Sequence, residues 1–240
     1  MDPQDIFTAS LLVPAAVLGV VAWRAARRGR TSLGLGVRDG AVGEFLRGML
    51  FSVPFLVVLA VVFPLLGLSD VVRVQGPDGV LIGIWVYFLV LFALEELAFR
   101  SLLMTGLGVV AGRGVAWVVT AVLVALPYSL NPDAGVLAVV GAVVTNALTG
   151  LARWRSGRIW WGLGQRWVFN SAALTLGFTE SAFSADHPVV VQRLTGPDAL
   201  TGGAFGVEGG LVGVVLLVVM TLAVRPFATG RRGPWEVRRS

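Results

Sequence analysis

Residues 91–103 read LFALEELAFRSLL and place Glu95, Glu96 and Arg100 in the middle of an apolar run. The run extends on both sides, from residue 80 to residue 108, which exceeds the roughly 20 residues that a bilayer-spanning helix needs. A charged side chain at the centre of such a helix costs on the order of 2.5–3.5 kcal/mol on insertion scales, so each needs a partner or a polar cavity. The stretch therefore predicts a polar site inside a membrane helix.

The composition of the whole chain agrees with a membrane location. Of its 240 residues, 56% are hydrophobic and 14% charged, and the mean hydropathy is +0.82. A soluble domain carries about 25% charged residues, so the chain lacks the polar surface of a soluble globule. We predict an all-α fold, a polytopic bundle of transmembrane helices embedded in a lipid bilayer.

Several chemistries are excluded or disfavoured by residue counts. The chain has no cysteine, and its single histidine, His187, cannot supply a histidine-based metal site by itself. We expect neither a metal nor a cofactor. The arginines stand at the ends of apolar runs, without interleaved aromatics, so we expect no nucleic-acid partner.

Seven apolar runs predict about seven transmembrane helices. They cover residues 6–23, 48–68, 80–108, 115–130, 134–152, 159–178 and 211–224. We divide the chain into an N-terminal part, residues 1–79, with two helices and a basic cytoplasmic loop, a core at 80–224, and a basic cytoplasmic tail at 225–240.

The positions of the arginines predict the orientation. With seven crossings, one side of the membrane receives Arg24, Arg27, Arg28, Arg30, Arg113, Arg153, Arg155, Arg158, Arg225, Arg231, Arg232, Arg238 and Arg239. The other side receives mixed or acidic loops at 69–79, 131–133 and 179–203. Because cytoplasmic loops are enriched in arginine and lysine, we predict a multi-pass protein of the plasma membrane with a cytoplasmic C-terminus.

The charges of the opening stretch have a definite geometry on a helix. Glu96 and Arg100 are spaced i, i+4 with the glutamate first, the favourable order for a helical ion pair. Glu95 lies about 100° around the helix from Glu96, so we expect Arg100 to neutralise Glu96 and leave Glu95 free. The alternative is that the triplet caps a helix end at the membrane interface, but residues 101–110 continue apolar.

The segment EELAFR, residues 95–100, resembles the first motif of the CAAX protease and bacteriocin-processing family. These are intramembrane endopeptidases that include the type II CAAX prenyl endopeptidases. Further segments follow in the order expected of a bacterial member: LNPDAG at 130–135, TNALTG at 145–150, SGRIWWGLG at 156–164, VFN at 168–170 and LTGGAFGVEGG at 200–210. The resemblance covers residues 80–224, which it marks as a protease-like core.

The resemblance implies a hydrolytic mechanism and a site. Glu95 would activate a water molecule for attack on a peptide bond, helped by a histidine in an F-x-x-x-H motif on the next helix. A second histidine, in an H-x-x-x-N motif, would bind the oxyanion together with the asparagine, here Asn170. The substrate would be a membrane-embedded or membrane-adjacent peptide or protein.

Both motif histidines are replaced in this chain. Val124 and Tyr128 stand where the phenylalanine and histidine belong, or Ser129 if the register slips by one, and Arg166 stands four residues before Asn170. Two roles are open for Arg166: it donates to an oxyanion beside Asn170, or it pairs with Glu95 and spoils the base. A phenol donates a hydrogen bond but is a poor replacement for an imidazole.

Two further segments are interpreted as structural. The small residues of GAVVTNALTG, 141–150, predict close helix packing, and Glu208 is expected to mark the entry to the last helix.

For the whole chain we favour a degenerate site over an active endopeptidase. The alternative is a non-catalytic scaffold or partner-binding protein of the same fold, and a third hypothesis is a small transporter, which predicts helices interrupted near the midplane.

Overall fold

The computed structural model describes the backbone of residues 3–29, 31–37 and 40–227 and the side chains of residues 12–29, 31–37 and 40–224. Some predictions concern residues outside these ranges. They are the cytoplasmic placement of Arg30, of the Arg225 side chain, and of Arg231, Arg232, Arg238 and Arg239 in the tail.

The chain is mostly helical, as predicted. Its helices are α1 (Pro3–Arg27), α2 (Ala41–Leu65), α3 (Gly79–Ala111), α4 (Arg113–Leu130), α5 (Val136–Ser156), α6 (Trp160–Thr175), α7 (Asp198–Thr201) and α8 (Leu211–Phe227). Helices α2 and α3 each contain a wider π-helical stretch, Val58–Val62 and Glu96–Leu103, and α4 ends in a 3₁₀ turn, Leu126–Leu130. Such π-helical insertions are frequently found at functional sites.

The all-α prediction missed one small sheet. Strand β1 (Ser69–Val74) pairs antiparallel with β2 (Val190–Leu194), with Ser69 opposite Leu194. Both strands lie in segments that the sequence predicts to be loops. Each strand is short, and its partner is far away in the sequence. Valine favours a strand mainly through packing against a neighbouring strand, so neither segment alone indicates a sheet.

The structure confirms a multi-pass membrane protein, but not the count of seven crossings. Each predicted span coincides with a helix, yet in the described part of the chain only α2, α3, α4 and α5 are long and apolar enough to cross a bilayer. Helix α6 has 16 residues, and the apolar part of α8 is shorter than a full span.

Connecting segments lie at both ends of α2. At its start, the loop after α1 contacts the segment after α5. Arg153 donates to the Ser32 carbonyl oxygen at 2.7 Å, and the Ile159 amide donates to the Gly34 carbonyl oxygen at 3.2 Å. At its end lies the β1–β2 sheet. The arginine-rich loops after α1 and α5 therefore share one end, as their composition predicted.

Helix α6 is held at the centre of the bundle by close contact with α2. A Cβ at Gly48 would lie 2.1 Å from the Trp161 carbonyl oxygen, and one at Gly164 would lie 2.2 Å from that of Phe45. Glycine is therefore required at both positions, because no side chain fits between the backbones. The close approach brings Arg166 and Asn170, which α6 carries, beside α3.

Candidate active site

Glu96 and Arg100 form the innermost part of the site, in the π-helical stretch of α3. Arg100 Nε lies 3.5 Å from Glu96 Oε1, and both side chains are fully buried. Arg100 Nη2 also donates to Asn146 Oδ1 at 2.5 Å and to Thr149 Oγ1 at 2.6 Å on α5. The predicted i, i+4 pair is confirmed, and α5 supplies additional acceptors for the guanidinium.

Gly162 of α6 makes room for the Glu96 carboxylate. A Cβ at this position would lie 2.9 Å from Glu96 Oε2, so a larger residue would push the carboxylate out of place. The buried pair is thus enclosed by three helices: α3 provides both charges, α5 binds the cation and α6 packs on the anion.

Glu95 is not free, which corrects the expectation that Arg100 would leave it unpaired. Arg166 Nη2 lies 2.6 Å from Glu95 Oε2, and Arg166 Nη1 lies 3.9 Å from Glu96 Oε1. The Arg166 guanidinium also stacks over the Phe92 ring at 4.4 Å from its centroid. Of the two roles left open for Arg166, the structure therefore shows the pairing with Glu95.

Four of the predicted site residues line one cavity of about 290 Å³. They are Glu95 from α3, Tyr128 from α4, and Arg166 and Asn170 from α6. Glu96 and Arg100 lie behind its wall and are not part of its surface. The exposed fraction of the Glu95 side chain is 23%, whereas that of Glu96 is 0%. Glu95 is therefore the carboxylate of the motif that a ligand can reach.

Tyr128 and Asn170, the two predicted site residues on α4 and at the end of the motif on α6, already contact other residues. Tyr128 lies on the 3₁₀ turn that ends α4, with its ring edge-on to Phe205 at 6.1 Å. Asn170 Nδ2 donates to the Arg166 carbonyl oxygen at 2.8 Å, so one amide hydrogen is already used within α6. Ser129, the alternative in a shifted register, is exposed and donates to the Leu126 carbonyl oxygen.

A comparison with protein families matches the segment that carries these residues. Residues 77–172 match the family model Rce1-like, type II CAAX prenyl endopeptidase Rce1-like. The predicted resemblance is confirmed over this segment, which includes every predicted site residue and covers less than half of the 240 residues. No curated protein and no solved structure matches the chain.

The Rce1-like segment ends at residue 172, yet the cavity continues beyond it. Glu180, Ser181 and Glu208 complete the wall opposite Glu95. Glu180 and Glu208 are buried, with exposed fractions of 1% and 6%. Glu208 does precede α8, but it faces the cavity rather than merely marking the entry to that helix.

Burial changes the protonation of these two glutamates, which lie outside the membrane helices. Loss of solvent raises the pKa of the Glu180 carboxyl well above that of an exposed glutamate, and the Glu208 carboxylate beside it adds to the effect. Loss of solvent also raises the pKa of Glu208, although the hydrogen bond from Ser181 opposes the rise. The pair therefore holds protons more tightly than exposed glutamates do.

Sequence reasoning missed this second wall because Glu180 was predicted to lie in the loop at 179–203 and Glu208 at the entry to the last helix. Glu180 follows directly on an apolar span, and Glu208 stands alone among glycines. A carboxylate at the end of an apolar run, with no arginine at i+4, is the signal that would have drawn attention to each.

Proposed function

We propose that this chain is a membrane protein of the Rce1-like fold whose cavity binds a membrane-associated partner without cleaving it. The observation that carries the proposal is the 2.6 Å ion pair between Arg166 and Glu95. A general base must accept a proton from a water molecule within hydrogen-bond reach. Arg166 occupies a carboxylate oxygen of Glu95, so this oxygen is not open to a water molecule.

The rest of the cavity supports the same proposal. Tyr128 stands where the family resemblance places an imidazole, and a phenol does not accept a proton from water at neutral pH. Two glutamates, Glu95 and Glu96, face two arginines, Arg100 and Arg166, so the charges of this inner cluster sum to zero. The cluster therefore needs no charged ligand to balance it.

The second candidate function is peptide hydrolysis, favoured by one observation. Glu95 and Asn170 line the same cavity, whose volume is that of about ten water molecules at ~30 Å³ each. In this mechanism Glu95 takes a proton from water, and the hydroxide attacks the carbonyl carbon of the peptide bond. Arg166 and Asn170 then donate hydrogen bonds to the oxyanion. Collapse of the intermediate breaks the peptide bond, and the leaving amine takes the proton from Glu95.

The third candidate, a small transporter, receives less support. It predicts helices interrupted near the midplane. Among the described residues, α3 passes Glu95 and Glu96 as one continuous helix, with a π-helical stretch rather than a break.

We also propose the placement of the chain in its membrane. The core at 80–224 would carry the site, with the helices of 1–79 packed beside it and the C-terminus in the cytoplasm at the plasma membrane. The segment 31–37, which follows the arginines at the end of α1, meets the arginine-rich segment 153–159, and this supports the orientation.

The experiment that tests the proposed function is a cleavage assay in proteoliposomes. Purified wild-type protein is incubated with membrane-anchored peptides, including one with a prenylated CAAX terminus, beside the Glu95→Gln variant. We expect wild type and variant to give the same peptide pattern as protein-free liposomes, because Arg166 holds the carboxylate that would act as base.

A matched control separates catalysis from general disturbance. Glu44 is also a buried glutamate paired with an arginine, Arg158 at 2.7 Å, but it lies outside the cavity. Cleavage that is present in wild type and in Glu44→Gln but lost in Glu95→Gln would show an active endopeptidase and contradict the proposal.

A further inference from the structure

The outer wall of the cavity is built by two loops that are fastened together. Residues 180–183 form a tight turn in which Glu180 and Phe183 exchange backbone hydrogen bonds, with Ser181 and Ala182 at positive φ of 51° and 63°. The Ala182 amide donates to the Phe205 carbonyl oxygen at 2.6 Å. A non-glycine residue at positive φ is strained and persists where its surroundings fix it, commonly at binding sites.

These loops bring two buried carboxyl groups to one cavity. Glu180 and Glu208 both line it, and the Ser181 hydroxyl donates to Glu208. No donor in the described part of the chain reaches either carboxylate oxygen of Glu180, although the side chain is 1% exposed and lines the cavity.

The charge around the cavity is unbalanced. Its ionisable lining, within the described residues, consists of the carboxyls of Glu95, Glu180 and Glu208 against the single guanidinium of Arg166, with Tyr128 neutral. Arg166 is already paired with Glu95. Glu180 and Glu208 therefore face the cavity without a cation of their own.

The other walls suit a cation that carries an apolar group. Phe88 and Phe92 stack at 5.3 Å, and Phe183 meets Phe88 edge-on at 5.6 Å, so three aromatic rings stand on the side of the cavity that α3 forms. Aromatic faces attract cations, by about 0.5–1 kcal/mol at exposed sites and more when water is excluded.

A metal ion fits the same wall less well. Calcium takes 6–8 oxygen ligands. No group of three or more metal-binding side chains was found over the described ranges. An ammonium group needs fewer partners, because it has three N–H donors and two carboxyls supply four oxygen acceptors.

We propose that Glu180 and Glu208 together bind the ammonium group of an amine ligand, which displaces a proton from these carboxyls. The proposal rests on the proposed function, since it names the ligand class for a cavity that binds without cleaving. The groups that face the pair across the cavity are Glu95 of α3, Tyr128 of α4 and Arg166 of α6. Because Glu95 and Arg166 neutralise each other, the amine meets the charge of the carboxyl pair alone.

The test is calorimetric titration of the purified full-length protein in detergent with benzylamine, with benzyl alcohol as the uncharged probe of the same shape. We expect saturable binding of benzylamine and none of benzyl alcohol, with proton release visible as a dependence of the heat on the buffer. Protons compete with the amine for carboxyls whose pKa is raised. The affinity should therefore increase from about pH 5 to about pH 8, by up to tenfold per pH unit while the pair still holds its proton.

Variants test whether benzylamine binds at Glu180 and Glu208. Glu180→Gln and Glu208→Gln should each weaken benzylamine binding at least tenfold, whereas Glu44→Gln, the buried glutamate outside the cavity, should leave it within twofold. If a variant fails to fold, the pH dependence and proton release of wild type decide the matter.

Three results would overturn the amine proposal: no saturable benzylamine binding, equal binding of benzyl alcohol, or unchanged binding after replacement of both glutamates. None of them bears on the cleavage assay, which alone tests the proposed function. Cleavage that depends on Glu95 would overturn the proposed function, whether or not benzylamine binds.

Discussion

Replacing Arg100 with leucine is expected to destabilise the protein by about 3–5 kcal/mol, the usual cost of removing one partner from a buried ion pair. The change leaves the fully buried Glu96 carboxylate without its neighbour at 3.5 Å and leaves Asn146 and Thr149 without the donor that they share. The next cation is Arg166, whose Nη1 is 3.9 Å from Glu96 and whose Nη2 is already bound to Glu95. Thermal unfolding in detergent should show the melting temperature lowered by about 6–20 °C, at 2–4 °C per kcal/mol.

Two controls show that the effect comes from an unpaired charge. The double variant Glu96→Gln/Arg100→Gln removes both charges and should recover most of the lost stability, because no ion remains uncompensated. Arg73→Gln, an exposed arginine on β1, should change stability by less than about 0.5 kcal/mol. A melting temperature of Arg100→Leu equal to that of wild type would mean that Glu96 carries no charge in the folded protein.

Placing histidines at both motif positions, in the variant Tyr128→His/Arg166→His, is expected to raise peptide hydrolysis above that of wild type. The Arg166 replacement removes the guanidinium that occupies Glu95, and the Tyr128 replacement supplies an imidazole at the position that the family resemblance assigns to one. General acid–base groups contribute about 10²–10⁴-fold to rates. Cleavage of membrane-anchored peptides in proteoliposomes should therefore rise by at least about 100-fold over background.

The control for this gain is the triple variant that also carries Glu95→Gln. It keeps both new imidazoles but lacks the carboxylate, so its cleavage should return to background. If the folded double variant shows no cleavage above the triple variant, the two substituted positions are not what separates this chain from a hydrolase, and the proposed reason for inactivity is wrong.

The parts of the site that the sequence predicted are those set by local geometry. Glu96 and Arg100 are four residues apart on one helix, and helical periodicity alone brings them together. The resemblance predicted Glu95, Tyr128, Arg166 and Asn170 as site positions from the order of motifs along the chain, and the structure places all four around one cavity.

The parts that the sequence could not predict depend on contacts between distant segments. Arg166 and Glu95 lie on different helices, α6 and α3, so helical periodicity does not say whether they pair. Glu180 and Glu208 line one cavity only because two loops meet, and Gly206 permits this, since a Cβ there would lie 2.3 Å from the Thr179 carbonyl oxygen. The β1–β2 pairing likewise joins segments more than 100 residues apart.

The coupling energy between Glu95 and Arg166 tests most directly whether the arginine holds the carboxylate. It is obtained from the unfolding free energies of wild type, Glu95→Gln, Arg166→Gln and the double variant, all measured in the same detergent. Residues in direct contact show interaction energies of about 0.5–3 kcal/mol, and for a pair 2.6 Å apart that is largely shielded from water we predict at least about 1 kcal/mol. A coupling energy of zero within error would contradict the account, because Glu95 would then be free to act as a base.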